Sequence, residues 1–229
     1  MDISIEVVGA RVPEHIETYR ESAPFYLVEK EAIESLPAAF RAGEYGPRDV
    51  EWVVRWYFRR RVDAIDHERR RAVEDTVADM DRAAMRDAMW EAVDSLREDT
   101  DHSDGNGDGD GISNGDGDGI SDENPNTDAA PSHHEALDAL TRLPGVDLAV
   151  GSALLWFLAP ERFFVVGDRE WEVVAALTDL DDAYPESMTV DAYDRYLGAV
   201  RGLAAELDVD HWELYLVVQR VHAEAFGET

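Results

Sequence analysis

The chain cannot be folded as one continuous pattern, because residues 98 to 131 read EDTDHSDGNGDGDGISNGDGDGISDENPNTDAAP. Aspartate, glycine and asparagine dominate this stretch, and the octamer NGDGDGIS occurs at 106–113 and again at 114–121. Such a segment has too little apolar surface to offset the entropy of ordering it in a core. The packed body must come from what flanks it, residues 1–97 and 133–229. Residues 98–132 then form an acidic insertion between two parts of one globular unit.

The insertion carries a pattern of its own. Asn106, Asp108 and Asp110, and again Asn114, Asp116 and Asp118, put oxygen-bearing side chains at every second residue with glycines between. This resembles the calcium loops of thrombospondin type 3 repeats and the first half of an EF-hand. An EF-hand also needs a bidentate acid at its twelfth position, and counts from Asp104, Asn106 and Asp108 end on Gly115, Gly117 and Gly119. The EF-hand match fails, and two readings stay open: a flexible acidic surface insertion, or a weak Ca²⁺ site within 104–128. No cofactor is required by any other part of the chain.

The flanks are helical in pattern. PRDVEWVVRWYFRRRV (47–62) repeats Val50, Val53, Val54, Tyr57 and Phe58 at three- and four-residue spacings. The run from His67 to Leu96 continues the pattern through Val73, Val77, Met80, Ala84, Met89, Trp90 and Val93. Both predict amphipathic helices. Five further helical runs follow the insertion, separated by Pro-Gly, Ala-Pro and acidic turns. Only ISIEVV near the start and FFVV at 163–166 look strand-like, so the expected class is an all-α bundle with short connections.

Charge narrows the partners less than its size suggests. The chain has 51 acidic residues against 21 basic ones, a net charge of −30, and its basic residues are 20 arginines and the single Lys30. Acidity with almost no lysine resembles the surfaces of cytosolic proteins from salt-accumulating halophiles, where concentrated salt screens carboxylate repulsion. The charge then reflects habitat and leaves a nucleic-acid partner open. Residues 41–86 hold 11 arginines and 10 acids, which sets this long stretch apart from an otherwise acidic chain. Arg55, Arg59, Arg60 and Arg61, then Arg69, Arg70 and Arg71, can line a nucleic-acid path with Trp52, Trp56 and Tyr57 beside them. The competing reading makes the tryptophans core and pairs the arginines with Asp63, Asp66 and Glu68. There is no cysteine, which excludes disulfides and thiolate chemistry. The first residues lack a basic, apolar leader and no later run reaches about 18 apolar residues, so a soluble cytoplasmic protein without a membrane partner is expected.

The most specific signal lies in LPGVDLAVGSALLWFLAPERFFVVGDREWEVVAAL, residues 143–177. Leu143, Pro144, Gly145 and Val146 form the expected turn between two helices, and Gly151 and Ser152 supply small residues where the helices approach. A turn opening into a helix N-terminus presents backbone N–H groups and a positive dipole end to a phosphate, with no basic side chain required. Asp168 follows at the start of another apolar helix, where capping and catalysis both select aspartate.

These residues resemble the helix-hairpin-helix superfamily of base-excision DNA glycosylases, the 8-oxoguanine glycosylase-like fold, most specifically over 135–177. The resemblance implies a helix-hairpin-helix bundle, a duplex partner with an extruded base, DNA contacts from Leu143, Pro144, Gly145, Val146 and Gly151 with Arg55, Arg59 and Arg60, and a catalytic Asp168. The chain departs from the family at two hairpin positions. Asp147 replaces the second glycine, which puts a carboxylate near the phosphate unless it turns inward as a helix cap. Ala149 stands where bifunctional members carry a lysine nucleophile, so the implied enzyme is monofunctional, without lyase activity. A non-catalytic binding protein of the same fold is the alternative. His133 and His134, adjacent before the hairpin helix, are expected to diverge by about 100° and to make a poor metal pair.

Overall fold

The structure, a computed structural model, describes residues 3–60, 67–103, 132–180 and 182–227. Eleven helices account for the regular structure of these residues, and none of them belongs to a strand: α1 (Ile5–Gly9), α2 (Val12–Ser22), α3 (Tyr26–Ala42), α4 (Pro47–Arg59), α5 (His67–Ala78), α6 (Arg82–Ser103), α7 (Ser132–Thr141), α8 (Leu148–Leu158), α9 (Asp168–Leu177), α10 (Val190–Leu207) and α11 (His211–Ala225). The all-α expectation holds. No helix among the described residues is long and apolar enough to cross a membrane.

The centre of the molecule is α8. LAVGSALLWFL contains no charged residue, and every residue from Ala149 to Leu158 is buried. A helix that is apolar all round has no face to give to water, so it must be enclosed. It is enclosed by α3, α4 and α7, while α11 closes the other side of the molecule against α2 and α9. Aromatic rings join these layers: Trp156 of α8 lies 5.5 Å from Trp56 of α4 and 6.3 Å from Trp212 of α11.

Two strand-like segments are resolved differently from the sequence expectation. The last four residues of ISIEVV, Ile5 to Val8, fall in the short helix α1, and Val8 is buried. FFVV at 163–166 is extended but pairs with no strand; it runs through the core between α8 and α9, with Phe163 to Gly167 buried. A buried backbone must find partners, and side chains supply them here. Tyr193 donates to the Phe164 carbonyl at 3.0 Å, Tyr196 to Val165 at 3.0 Å and Tyr57 to Val166 at 3.3 Å. The Val166 N–H donates to Ser152 Oγ at 3.0 Å, and the Ser152 hydroxyl donates to Ala149 O at 2.7 Å. His211 Nδ1 lies 3.1 Å from Pro160 O and 3.0 Å from Phe163 O.

The run expected as one helix over 67–96 is two. The chain breaks at Asp79 to Asp81, where the Asp81 carboxylate accepts from the Ala84 N–H at 3.1 Å and starts α6 afresh. The break shifts the apolar face, so Met85, Met89, Val93 and Leu96 are buried. Ala84 and Trp90, expected on that face, are exposed. Trp90 instead lies against Gly43, which ends α3 at φ +72°, and a Cβ there would stand 2.6 Å from the indole. Only glycine meets both demands.

Two outcomes follow for stability. Tyr196→Phe leaves the buried Val165 carbonyl unpaired and lowers the unfolding free energy by about 1–3 kcal/mol, read from urea unfolding in concentrated KCl. Burial holds the imidazoles of His15 and His211 below their ordinary value of 6.5. The unfolded chain therefore takes up these protons first, and the stabilisation present above pH 6.5 is lost as pH falls toward the folded values. Unfolding free energies measured between pH 7.5 and pH 5.5 decline with pH, and decline less in His15→Gln or His211→Gln.

Candidate functional site

The hairpin forms as the spacing predicts. The Val146 N–H donates to Leu143 O at 3.0 Å, and Gly145 between them takes φ +82°. Leu143 and Val146 are buried, while Pro144 and Gly145 are exposed. A Cβ on Gly145 would lie 3.3 Å from Val73 and 3.5 Å from Thr76, so α5 packs beside the turn. Gly151 faces Leu137 and Thr141 at 3.5 Å from its Cβ position, the close approach of α7 and α8 that a small residue permits. Asp147 is the N-cap of α8, its carboxylate accepting from Val150 N at 2.9 Å. The Asp147 carboxylate is thus engaged by an amide of the helix's own first turn.

Asp168 opens α9 directly after the buried 163–167 segment. The N-cap position belongs to Gly167, and Asp168 is the first helical residue, half-buried, with its Oδ1 accepting from the Arg169 N–H at 2.8 Å. An anionic group in a first helical turn is stabilised by the helix dipole. The next two residues tie this helix start to the end of α4. Arg169 Nη1 donates to Arg60 O at 3.0 Å. Glu170, fully buried, accepts from Arg60 Nη1 and from Gln219 Nε2, the latter at 2.6 Å. The Arg60 guanidinium also lies over Trp56 and Tyr57, 4.9 and 4.7 Å from the ring centroids. Arg60, expected on a DNA path, is therefore buried against Glu170.

Arg60 also lines a cavity of about 260 Å³ between the start of α3 and α4. Trp52 and Trp56 form its wall with Phe25 and Val28, and Glu29 lies within it. Glu29 is buried and accepts from Tyr19 at 2.7 Å, Trp56 Nε1 at 2.8 Å and Tyr215 at 3.4 Å. Burial and the Glu29 charge push both phenols well above their ordinary value, so they remain donors. Arg48, Arg55 and Arg59 join Arg60 in lining the cavity, against the carboxylates of Glu29 and Glu51. Arg55 lies 3.7 Å from Glu51, whereas Arg48 and Arg59 make no ion pair among the described residues and are exposed. Trp56 is core and Trp52 is half-buried, edge-on to Phe157 at 5.6 Å, so the tryptophans serve core and cavity together.

The sequence reading did not find Glu29 or Glu170. Glu29 had a visible signal, since it stands three and four residues before Ala32 and Ile33 on the buried stripe of α3. The histidine pair also departs from expectation. His133 and His134 do not diverge but both reach Asp194 of α10. Burial holds His133 below its ordinary value; burial pushes the Asp194 carboxyl up, but the hydrogen bonds and charges of the two histidines together hold it low. Asn106, Asp108, Asp110, Asn114, Asp116, Asp118, Arg61, Asp63 and Asp66 lie outside the described residues, as does the Arg69 side chain.

Comparisons with family models, with curated proteins and with solved structures find no match for this chain.

The two ion pairs here differ in consequence. Glu170→Ala removes the carboxylate from a guanidinium whose side chain is 5% exposed and costs about 3–5 kcal/mol of stability. Glu51→Ala, beside the more exposed Arg55, costs no more than about 1 kcal/mol. Denaturant midpoints of the two variants measured together check the contrast.

Proposed function

We propose that this chain is a monofunctional DNA glycosylase-like protein, which takes an extruded base into the cavity between α3 and α4 and uses Asp168 at the glycosidic bond. The observation that carries the reading is the charge and composition of that cavity. On a chain of net charge −30, its lining holds Arg48, Arg55 and Arg59, with Arg60 engaged by Glu170, against Glu29 and Glu51 around tryptophan and phenylalanine rings. Aromatic rings stack on any base, and cationic side chains at the mouth of a cavity suit the phosphates that flank it.

Each residue then has a chemical part. Trp52 and Phe25 offer stacking faces, and the Glu29 carboxylate can accept from an amino or imino group on the base edge. Arg48 and Arg59 hold flanking phosphates, while Arg60 positions α9 through Glu170 and through its own carbonyl. Rupture of the glycosidic bond builds positive charge on the sugar, and an ionised Asp168 would stabilise that charge or orient the attacking water. Ala149 offers no amine, so cleavage would go to water without a Schiff base. Asp147 favours a second reading, binding without base release, because its carboxylate stands at the helix start where the family grips phosphate.

Base release is measured from duplexes carrying oxidised, alkylated, deaminated and mismatched bases, in concentrated KCl. At least one substrate releases its base, and Asp168→Asn lowers the rate by about a hundredfold or more while circular dichroism is unchanged. No release from any duplex by folded protein ends the catalytic reading. Arg48→Ala and Arg59→Ala each weaken DNA binding and lower the salt dependence of log K by about one. Binding that responds to the arginines without release supports the second reading.

A further inference from the structure

We propose that His133, His134 and Asp194 form a binding site for one divalent transition-metal ion of the zinc class, with a coordination position left open. The inference does not depend on the glycosylase-like reading, since these residues line neither the cavity nor the start of α9.

The geometry is unusual for neighbouring helical residues. Successive side chains leave a helix about 100° apart. Here both imidazoles close on one carboxylate: His133 Nε2 lies 2.7 Å from Asp194 Oδ1, and His134 Nε2 lies 2.7 Å from Oδ2. The rings stand 4.6 Å apart at 79° to one another, and the three ligand atoms all lie within 4.8 Å of each other. Bonds of about 2.0–2.1 Å at tetrahedral angles separate two ligand atoms by about 3.4 Å, so the carboxylate oxygen that binds the ion has to draw back by about 0.7 Å from the imidazole it now touches. That is within side-chain reach, because Asp194 is 35% and His134 25% exposed.

The donor set chooses the ion. Two imidazole nitrogens with one carboxylate suit Zn²⁺, Co²⁺ or Ni²⁺, whereas Ca²⁺ and Mg²⁺ call for oxygen cages. The His133 ring is held against Phe163 at 5.7 Å, which limits its freedom to turn away. Arg201 is the nearby charge that opposes a cation, and its guanidinium is engaged with Arg162 O at 3.0 Å. With the ion bound, the first turn of α7 is fastened to α10.

The test uses the full-length chain, stripped of metal by a chelator, in concentrated KCl with millimolar Mg²⁺ and Ca²⁺ to occupy oxygen-rich sites. Titrated Co²⁺ gives the visible absorption of a four-coordinate nitrogen and oxygen site at about one equivalent, Zn²⁺ displaces it, and Zn²⁺ raises the melting temperature. Asp194→Asn and His134→Gln each weaken binding by at least about tenfold, the least that loss of a ligand can cost when an outer-shell partner already costs that much. Circular dichroism establishes that each variant is folded. Absence of the absorption, or Co²⁺ binding indifferent to both substitutions, overturns the proposal.

Discussion

A peptide segment that crosses the core without joining a sheet has to be hydrogen-bonded one group at a time, and the arrangement of this fold follows from how residues 163–167 meet that requirement. Their partners come from four helices. Tyr57 is on α4, Ser152 on α8, Tyr193 and Tyr196 on α10, and His211 opens α11. Each partner is buried, and none can move without leaving a carbonyl or an N–H unpaired in an apolar environment. The segment thereby fixes the distance between the end of α8 and the start of α9. It also fixes α4 against them, because Tyr57 adjoins the residues that line the cavity.

Electrostatics adds a second constraint at the same junction. Arg60 and Glu170 are buried as a pair, with Gln219 sharing the carboxylate oxygen. A buried ion pair contributes little net stability over apolar residues, but each member strongly requires the other. The pair therefore specifies register more than it strengthens the core: α4 and α9 meet where a guanidinium finds its carboxylate. Asp168 inherits its position from this arrangement, two residues before Glu170 and next to the arginine that bonds the Arg60 carbonyl.

Much of the helical content is legible in the sequence, and the reasons for the failures are physical. The amphipathic spacing of α4, the uncharged length of α8 and the Pro-Gly turn each express a local rule, and local rules can be read without knowing the neighbours. The break at 79–81 is local too, but Asp81 as a cap is hidden by acidic residues on either side that look the same. FFVV looks like a strand because extended, buried backbone selects the same β-branched and aromatic residues whether its partners are strands or tyrosines. The cavity was visible only in half. The arginines and tryptophans of α4 stand together in the chain, whereas Glu29 reaches them from α3 and Tyr215 from a position 186 residues further on. The convergence of His133 and His134 on Asp194 depends on the tertiary arrangement that sets this residue of α10 opposite the start of α7, which helical geometry alone does not supply.

The aromatic cluster has an optical consequence. Trp56 lies on the cavity wall and 5.5 Å from Trp156, which stacks 6.3 Å from Trp212, which in turn stacks 5.7 Å from Tyr215. Indoles at such separations exchange excitation efficiently, so light absorbed anywhere along the chain of rings is shared with the ring at the cavity. A molecule settling against Trp56 would quench or shift the emission of the whole cluster. Occupancy of the cavity would thereby be readable in the emission of rings that reach as far as the buried helix α8.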